Sequence, residues 1–229
     1  MSIEDNDNYY ILEEDDQEID QSPLNFAAYN DEARENEEKE AVRHSHKKSP
    51  IGILFRIMFN PVEGWKILRR HKISIESLQS GCFYPILAIL ALSKFADYFY
   101  SVNVNLSEII TQAVISFVAF FFGYFSIPMV LSWFLPREMS EAFEHRFGKA
   151  YILISLSTLA LFSIVTDLFP MIWPILIFLP IWTLYLMFKG VRFFKFAEKD
   201  ELKFFMLSGA AAIGIPLLID WGLNAILPY

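Results

Sequence analysis

The chain has one cysteine, Cys82, among 229 residues, which rules out an intrachain disulfide and leaves nothing to suggest a cysteine-based metal site. Its four histidines do not make up for that. His44-Ser45-His46 lies in a basic linker and, even with His71 or His145, has no Cys or carboxylate at ligand spacing. No metal or cofactor is therefore expected. There is no Gly-x-Ser-x-Gly, no His-Glu-x-x-His and no P-loop. Without a nucleophile, base or metal constellation no catalytic residue can be named, and the sequence points away from an enzyme. No internal repeat of the kind that builds inverted-repeat transporters is present. The first residues lack a basic n-region, an apolar h-region and a Met-Gly start, so membrane insertion is expected to be signalled by the first span.

Apolar matter is abundant: 54% of residues are hydrophobic and 17% aromatic, with a mean hydropathy of +0.34. That is more than a soluble domain of this length usually buries, so lipid is the expected solvent. Charge is divided unevenly. Fifteen of the 27 acids lie in residues 1–40 beside only Arg34 and Lys39, a local net of -13, which leaves +5 for residues 41–229. Residues 1–49 carry no sustained apolar period and are expected to form a disordered acidic cytoplasmic tail. Two apolar islands in it, 9–12 and 24–29, are candidate docking motifs for a protein partner.

Residues 50–77 read as a basic amphipathic juxtamembrane segment. The run 51–59 is apolar but too short to span a core about 30 Å thick. Asn60-Pro61-Val62-Glu63 then has the pattern of a helix start: Asn at the N-cap, Pro at N1, and Glu at N3 reaching back. On the next turns Gly64, Trp65, Ile67 and Leu68 share one arc, while Glu63, Lys66, Arg69 and Arg70 share the other. Trp65, Lys66, Arg69 and Arg70 are thus expected to mark a membrane-surface helix that contacts an anionic leaflet. A connector packed on the bundle predicts the same periodicity.

Residues 78–229 are expected to form an all-α polytopic helix bundle of about five spans, near 78–100, 109–135, 150–169, 171–188 and 204–227. Basic residues precede the first span and fill alternate connections, with Arg137, Arg146 and Lys149 after the second span and Lys189 to Lys203 after the fourth. The other connections and the C-terminus carry none. Since basic loops stay cytoplasmic, the N-terminus is expected inside and the C-terminus outside. These basic loops read as topology signals and lipid contacts, and no nucleic acid is expected as a partner.

Ionisable groups within spans are costly and draw attention. Lys94, Asp97, Asp167 and Asp220 all fall in the outer third of their spans, with Glu108 opening the second on the same side. They are the candidate intramembrane polar cluster, with Lys94 neutralising Asp97 or Asp220. One reading is an ion or proton site in which Asp220 titrates; the other is a helix-helix staple with acids snorkelling to the interface. Pro85, Pro128, Pro174, Pro180 and Pro216 recur in or at the ends of spans as kinks. The small residues from Ser208 to Ala212, with Gly214, permit close helix approach. Phe120 to Phe122, Phe193-Phe194, Trp133 and Trp182 suit lipid contact and interfacial anchoring.

The amphipathic element with Asn60-Pro61 and Trp65 just before the first span, the five spans, and Gly190 closing the fourth before a charged loop together resemble a Yip1-domain membrane protein from Ile51 onward. The resemblance implies a five-helix bundle with a cytoplasmic N-terminus. Eukaryotic members of that family are associated with small-GTPase partners, but their Asp-Leu-Tyr-Gly-Pro signature is absent here, so GTPase binding is not carried over. Its absence tilts the expected location to a bacterial inner membrane. The expected function is a noncatalytic scaffold or adaptor that contacts lipid, docks a protein on its tail and has room for self-association. The alternative is a small transporter or channel using the Asp/Lys cluster.

Overall fold

The computed structural model describes residues 49–71, 73–100, 105–172, 178–194 and 196–227. The expected disordered tail and its two islands fall almost wholly outside them, as do His44, His46 and Pro174. The described residues are overwhelmingly helical. We number the helices α1 (Pro50–Phe59), α2 (Pro61–Arg70), α3 (Ile75–Tyr100), α4 (Leu106–Phe134), α5 (Arg137–Glu144), α6 (Arg146–Leu168), α7 (Leu179–Val191) and α8 (Glu198–Ile226). Among them α3, α4, α6 and α8 are long and apolar enough to cross a membrane. The shortest of the four, α6, has 23 residues and extends about 35 Å at 1.5 Å per residue, against a hydrocarbon core of about 30 Å. The protein is an all-α, multi-pass membrane bundle.

The segment 171–188, expected as a span, contains a short turn, Pro170–Ile172, and then α7. With 13 residues, α7 extends about 20 Å, short of the core by itself; residues 173–177 lie outside the description. The four long helices begin a few residues before the apolar windows read from sequence. Hydropathy registers only the stretch in hydrocarbon, whereas the hydrogen-bonded helix continues into the interface, as at Glu198–Lys203. A helix not expected at all, α5, fills the connection after α4. Its signal was present as Met139 and Phe143, an i, i+4 pair, both buried, with Phe143 stacked on Phe204 at 4.8 Å.

The central element is α6, whose residues Ala150 to Thr158 are all buried. Of its apolar window 61% is buried, compared with 28% for α8, so α6 packs on neighbours all round while α8 keeps a broad outward face. Ser155, Ser157 and Thr158 tolerate this burial because each hydroxyl donates to the carbonyl four residues earlier, at 2.8 to 2.9 Å. Helix α3 is irregular where its sequence requires it. Pro85 has no N–H to offer the preceding turn, and a π turn at Gln79–Phe83 precedes it, with the Tyr84 amide donating to the Gln79 carbonyl.

The hairpin of α1 and α2 is made by its junction. The Asn60 N–H donates to the Arg56 carbonyl at 2.8 Å, completing α1, while the Asn60 side chain caps α2 by accepting from the Glu63 amide at 3.4 Å. Because the Asn60 amide is already used, Glu63 does not close the usual reciprocal box; its carboxylate meets the Asn60 side-chain amide and Arg56 instead. The two helices then touch at Gly64, where a Cβ would lie 2.6 Å from the Ile57 backbone. No residue with a side chain fits there.

Candidate functional site

Two places gather polar chemistry. At the end of the bundle where the basic loops meet, the apolar arc of α2 turns inward. Pro61, Gly64, Trp65 and Leu68 are buried, and Lys66, Arg69 and Arg70 are exposed. Trp65, expected at the membrane surface, is completely buried. Its ring lies 5.6 Å from Tyr151 and 6.0 Å from Phe147, and its Nε1 donates to the Leu186 carbonyl of α7 at 3.0 Å. The sequence could not separate the two outcomes, because an apolar arc looks the same whether lipid or protein covers it. What makes room for the indole is Gly190: a Cβ there would come within 2.9 Å of both the Trp65 and Tyr151 rings. Arginines pin the neighbouring loops. Arg69 donates to the Phe193 carbonyl and Arg146 to the Ile73 carbonyl, each at 2.7 Å.

Phe194 also departs from expectation. Instead of meeting lipid it packs 4.9 Å from Phe147, 5.3 Å from Tyr151 and 4.8 Å from Phe204, extending the aromatic knot around Trp65. Trp133 and Phe122 do face outward, as interfacial and lipid-facing aromatics do. Ser208 and Ala212 are buried, and the Tyr151 hydroxyl lies 3.3 Å from that of Ser208, so the small-residue stretch of α8 does receive its neighbours closely.

At the opposite end the structure sorts the intramembrane charges. Lys94 pairs with Asp167, Nζ to Oδ1 at 2.9 Å, with both side chains largely buried. This corrects the expected pairing of Lys94 with Asp97 or Asp220. The second carboxylate oxygen of Asp167 receives the Ser93 hydroxyl at 2.7 Å, and the Tyr100 hydroxyl donates to the Leu168 carbonyl at 2.9 Å. Together these contacts staple α3 to α6. Asp97 is exposed and has no ion-pair partner among the described residues.

Asp220 is half-buried on α8, where the Asn224 amide lies 3.3 Å from its Oδ2. Asn224 in turn accepts from Gln112 of α4 at 2.9 Å. Asp220 and Lys94 line one cavity of about 270 Å3 between α3, α4, α6, α7 and α8. Ser93, Gln112 and Asn224 were missed because the sequence was searched for charges. Asn224, four residues after Asp220, and Ser93, beside Lys94, were the available signals.

Among the described residues no three His, Cys, Asp or Glu side chains gather to hold a metal. Comparison of the chain with protein-family models, curated proteins and solved structures finds no match.

Proposed function

We propose that the protein is a noncatalytic membrane scaffold or adaptor of Yip1-like type. The observation that carries this reading is the Trp65 lock. A buried indole bonded to the Leu186 carbonyl, with Arg69 bonded to that of Phe193, holds the α1–α2 hairpin as a rigid platform. Its outer surface offers Lys66, Arg69 and Arg70 beside the exposed apolar side chains of Phe55, Phe59 and Val62. Cations beside exposed aromatics suit the headgroup layer of an anionic leaflet, and the acidic residues 1–49 are then the segment that docks a protein partner. The pairing of Lys94 with Asp167 also favours a structural role for those charges over ion transfer. On this reading the basic end faces the cytoplasm of a bacterial inner membrane, the C-terminus lies outside, and self-association remains compatible with the outward face of α8.

The test is site-specific crosslinking from position 66 in native membranes, comparing the intact chain with residues 50–229. A protein partner captured reproducibly by the intact chain, and lost both without the tail and in Lys66→Glu/Arg70→Glu, is the expected result. Identical self-contacts in all forms, and nothing else, would overturn the adaptor reading. The cavity bordered by Asp220 favours a second reading, a small transporter; loss of substrate flux in Asp220→Asn proteoliposomes would select it.

A further inference from the structure

The cavity has a chemical polarity of its own. Along α8 its wall runs from Ala212 to Asp220, eight residues and about 12 Å. It is apolar at one end, with Phe120, Leu159 and Ala212, and acidic at the other. Asp220 lies six residues before the end of α8 and Lys94 six before the end of α3, so both sit at the same depth, about 9 Å from their helix ends. The polar end therefore faces the nearer membrane surface and the apolar end faces the bilayer centre. Leu217, in the wall, is 62% exposed, so the cavity opens sideways onto a surface that lipid covers.

Its charge is not balanced. Lys94 is committed to Asp167, whereas Asp220 has only the neutral Asn224 amide on its carboxylate among the described residues. Two further acids, Asp97 and Glu108, lie at this end. No Lys, Arg or His other than Lys94 occurs in residues 73–136, 150–188 or 204–229, so these segments supply no second cation.

Hydrogen-bond acceptors are likewise in excess. Pro216 has no N–H, which deprives the Ala212 carbonyl of its helical donor, and both residues line the cavity. Ser116, 8% exposed, lines the same wall with a hydroxyl oxygen that can also accept. A carboxylate in low dielectric is stabilised by a matched cation that also donates hydrogen bonds.

We propose that this cavity binds an alkylammonium group, a protonated primary amine on an apolar chain, with the amine on Asp220 and the chain along Phe120 and Ala212. The volume lies just under the range of about 300 to 1,000 Å3 typical of small-molecule pockets. It accommodates one chain with its head and excludes a whole two-chain lipid. The occupant is then either a free long-chain amine or an aminolipid that inserts one chain from the bilayer. Neither scaffolding nor transport is assumed, and the binding measurements can fail while the crosslinking succeeds, or the reverse.

The test uses the full-length protein, with binding of n-decylamine and decan-1-ol followed by native mass spectrometry and thermal shift. One charge-assisted hydrogen bond corresponds to about tenfold tighter binding of the amine. Asp220→Asn should abolish that preference, Asp220→Glu should retain it, and Ala119→Phe, which fills the cavity with neutral bulk, should remove both ligands. Equal binding of amine and alcohol to the unaltered protein overturns the proposal, as does an amine preference that survives Asp220→Asn. Should Asp220→Asn not fold, the unaltered protein and Ala119→Phe still decide. Bilayers of phosphatidylethanolamine and of phosphatidylcholine separate the sources. Displacement of decylamine only by the former supports a lipid amine, and displacement by neither supports a free one.

Discussion

The two ends of the bundle are held by opposite means. At the basic end, cationic and indole N–H groups donate to backbone carbonyls: Trp65 to Leu186, Arg69 to Phe193 and Arg146 to Ile73. A tight aromatic knot surrounds Trp65, and the charges of Lys66 and Arg70 remain outside. At the acid-rich end, side chain meets side chain, Lys94 on Asp167 and Gln112 on Asn224, with a cavity left among the helices. Backbone carbonyls are neutral acceptors, so the basic end keeps its positive charge for whatever lies against it. The acid-rich end spends its one cation internally and keeps a carboxylate. This contrast teaches that net charge alone does not locate a site; what the charges are bonded to does.

The largest expected effect is at the knot. Trp65→Ala removes a fully buried indole and a buried hydrogen bond, and should cost about 3–5 kcal/mol. Loss of thermal stability in detergent, with new proteolytic cleavage near Arg70, checks it; an unchanged melting temperature would show the knot to be dispensable. Next is Lys94→Met, which leaves Asp167 largely buried without its cation. Single loss from a buried pair costs about 3–5 kcal/mol, and the residual exposure here places the expectation at the lower end. The double variant Lys94→Met/Asp167→Leu should recover most of it in equilibrium unfolding, since two apolar side chains leave no charge unpaired.

Gly190→Ala should destabilise by about 1–3 kcal/mol through the clash with Trp65 and Tyr151. In combination with Trp65→Phe, which relieves the crowding, the effect should be less than additive, as a double-mutant cycle would record. The smallest effect sharpens the comparison within the acid-rich end itself. Asp97→Asn, exposed and unpaired among the described residues, should stay within about 0.5 kcal/mol, whereas Asp167→Asn, which breaks the largely buried pair with Lys94, should lose far more. Equal losses would mean that Asp97 takes part in the staple.

Several elements were legible because they depend on local chemistry. Asn60-Pro61-Val62-Glu63 predicted the start of α2, and the cap is there. The apolar runs within α3, α4, α6 and α8 predicted helices of spanning length. Pro85, read as a kink, foretold an irregular α3, though not that a π turn would precede it. At the candidate site, Lys94, Asp167 and Asp220 stood out as costly charges in apolar surroundings, and the structure places Lys94 with each of the two acids in a different way: bonded to Asp167, sharing a cavity with Asp220.

By itself the sequence determined that the chain is helical, apolar enough for a membrane, and charged asymmetrically between tail and bundle, because periodicity, hydropathy and charge are properties of residues in order. Only the tertiary structure decided that Trp65 is buried rather than lipid-facing, that Lys94 chooses Asp167 over Asp97, and that Asp220 borders a cavity. Each of those outcomes depends on which helix lies alongside, and on whether a neighbour such as Gly190 leaves the space, which no single helix's sequence contains.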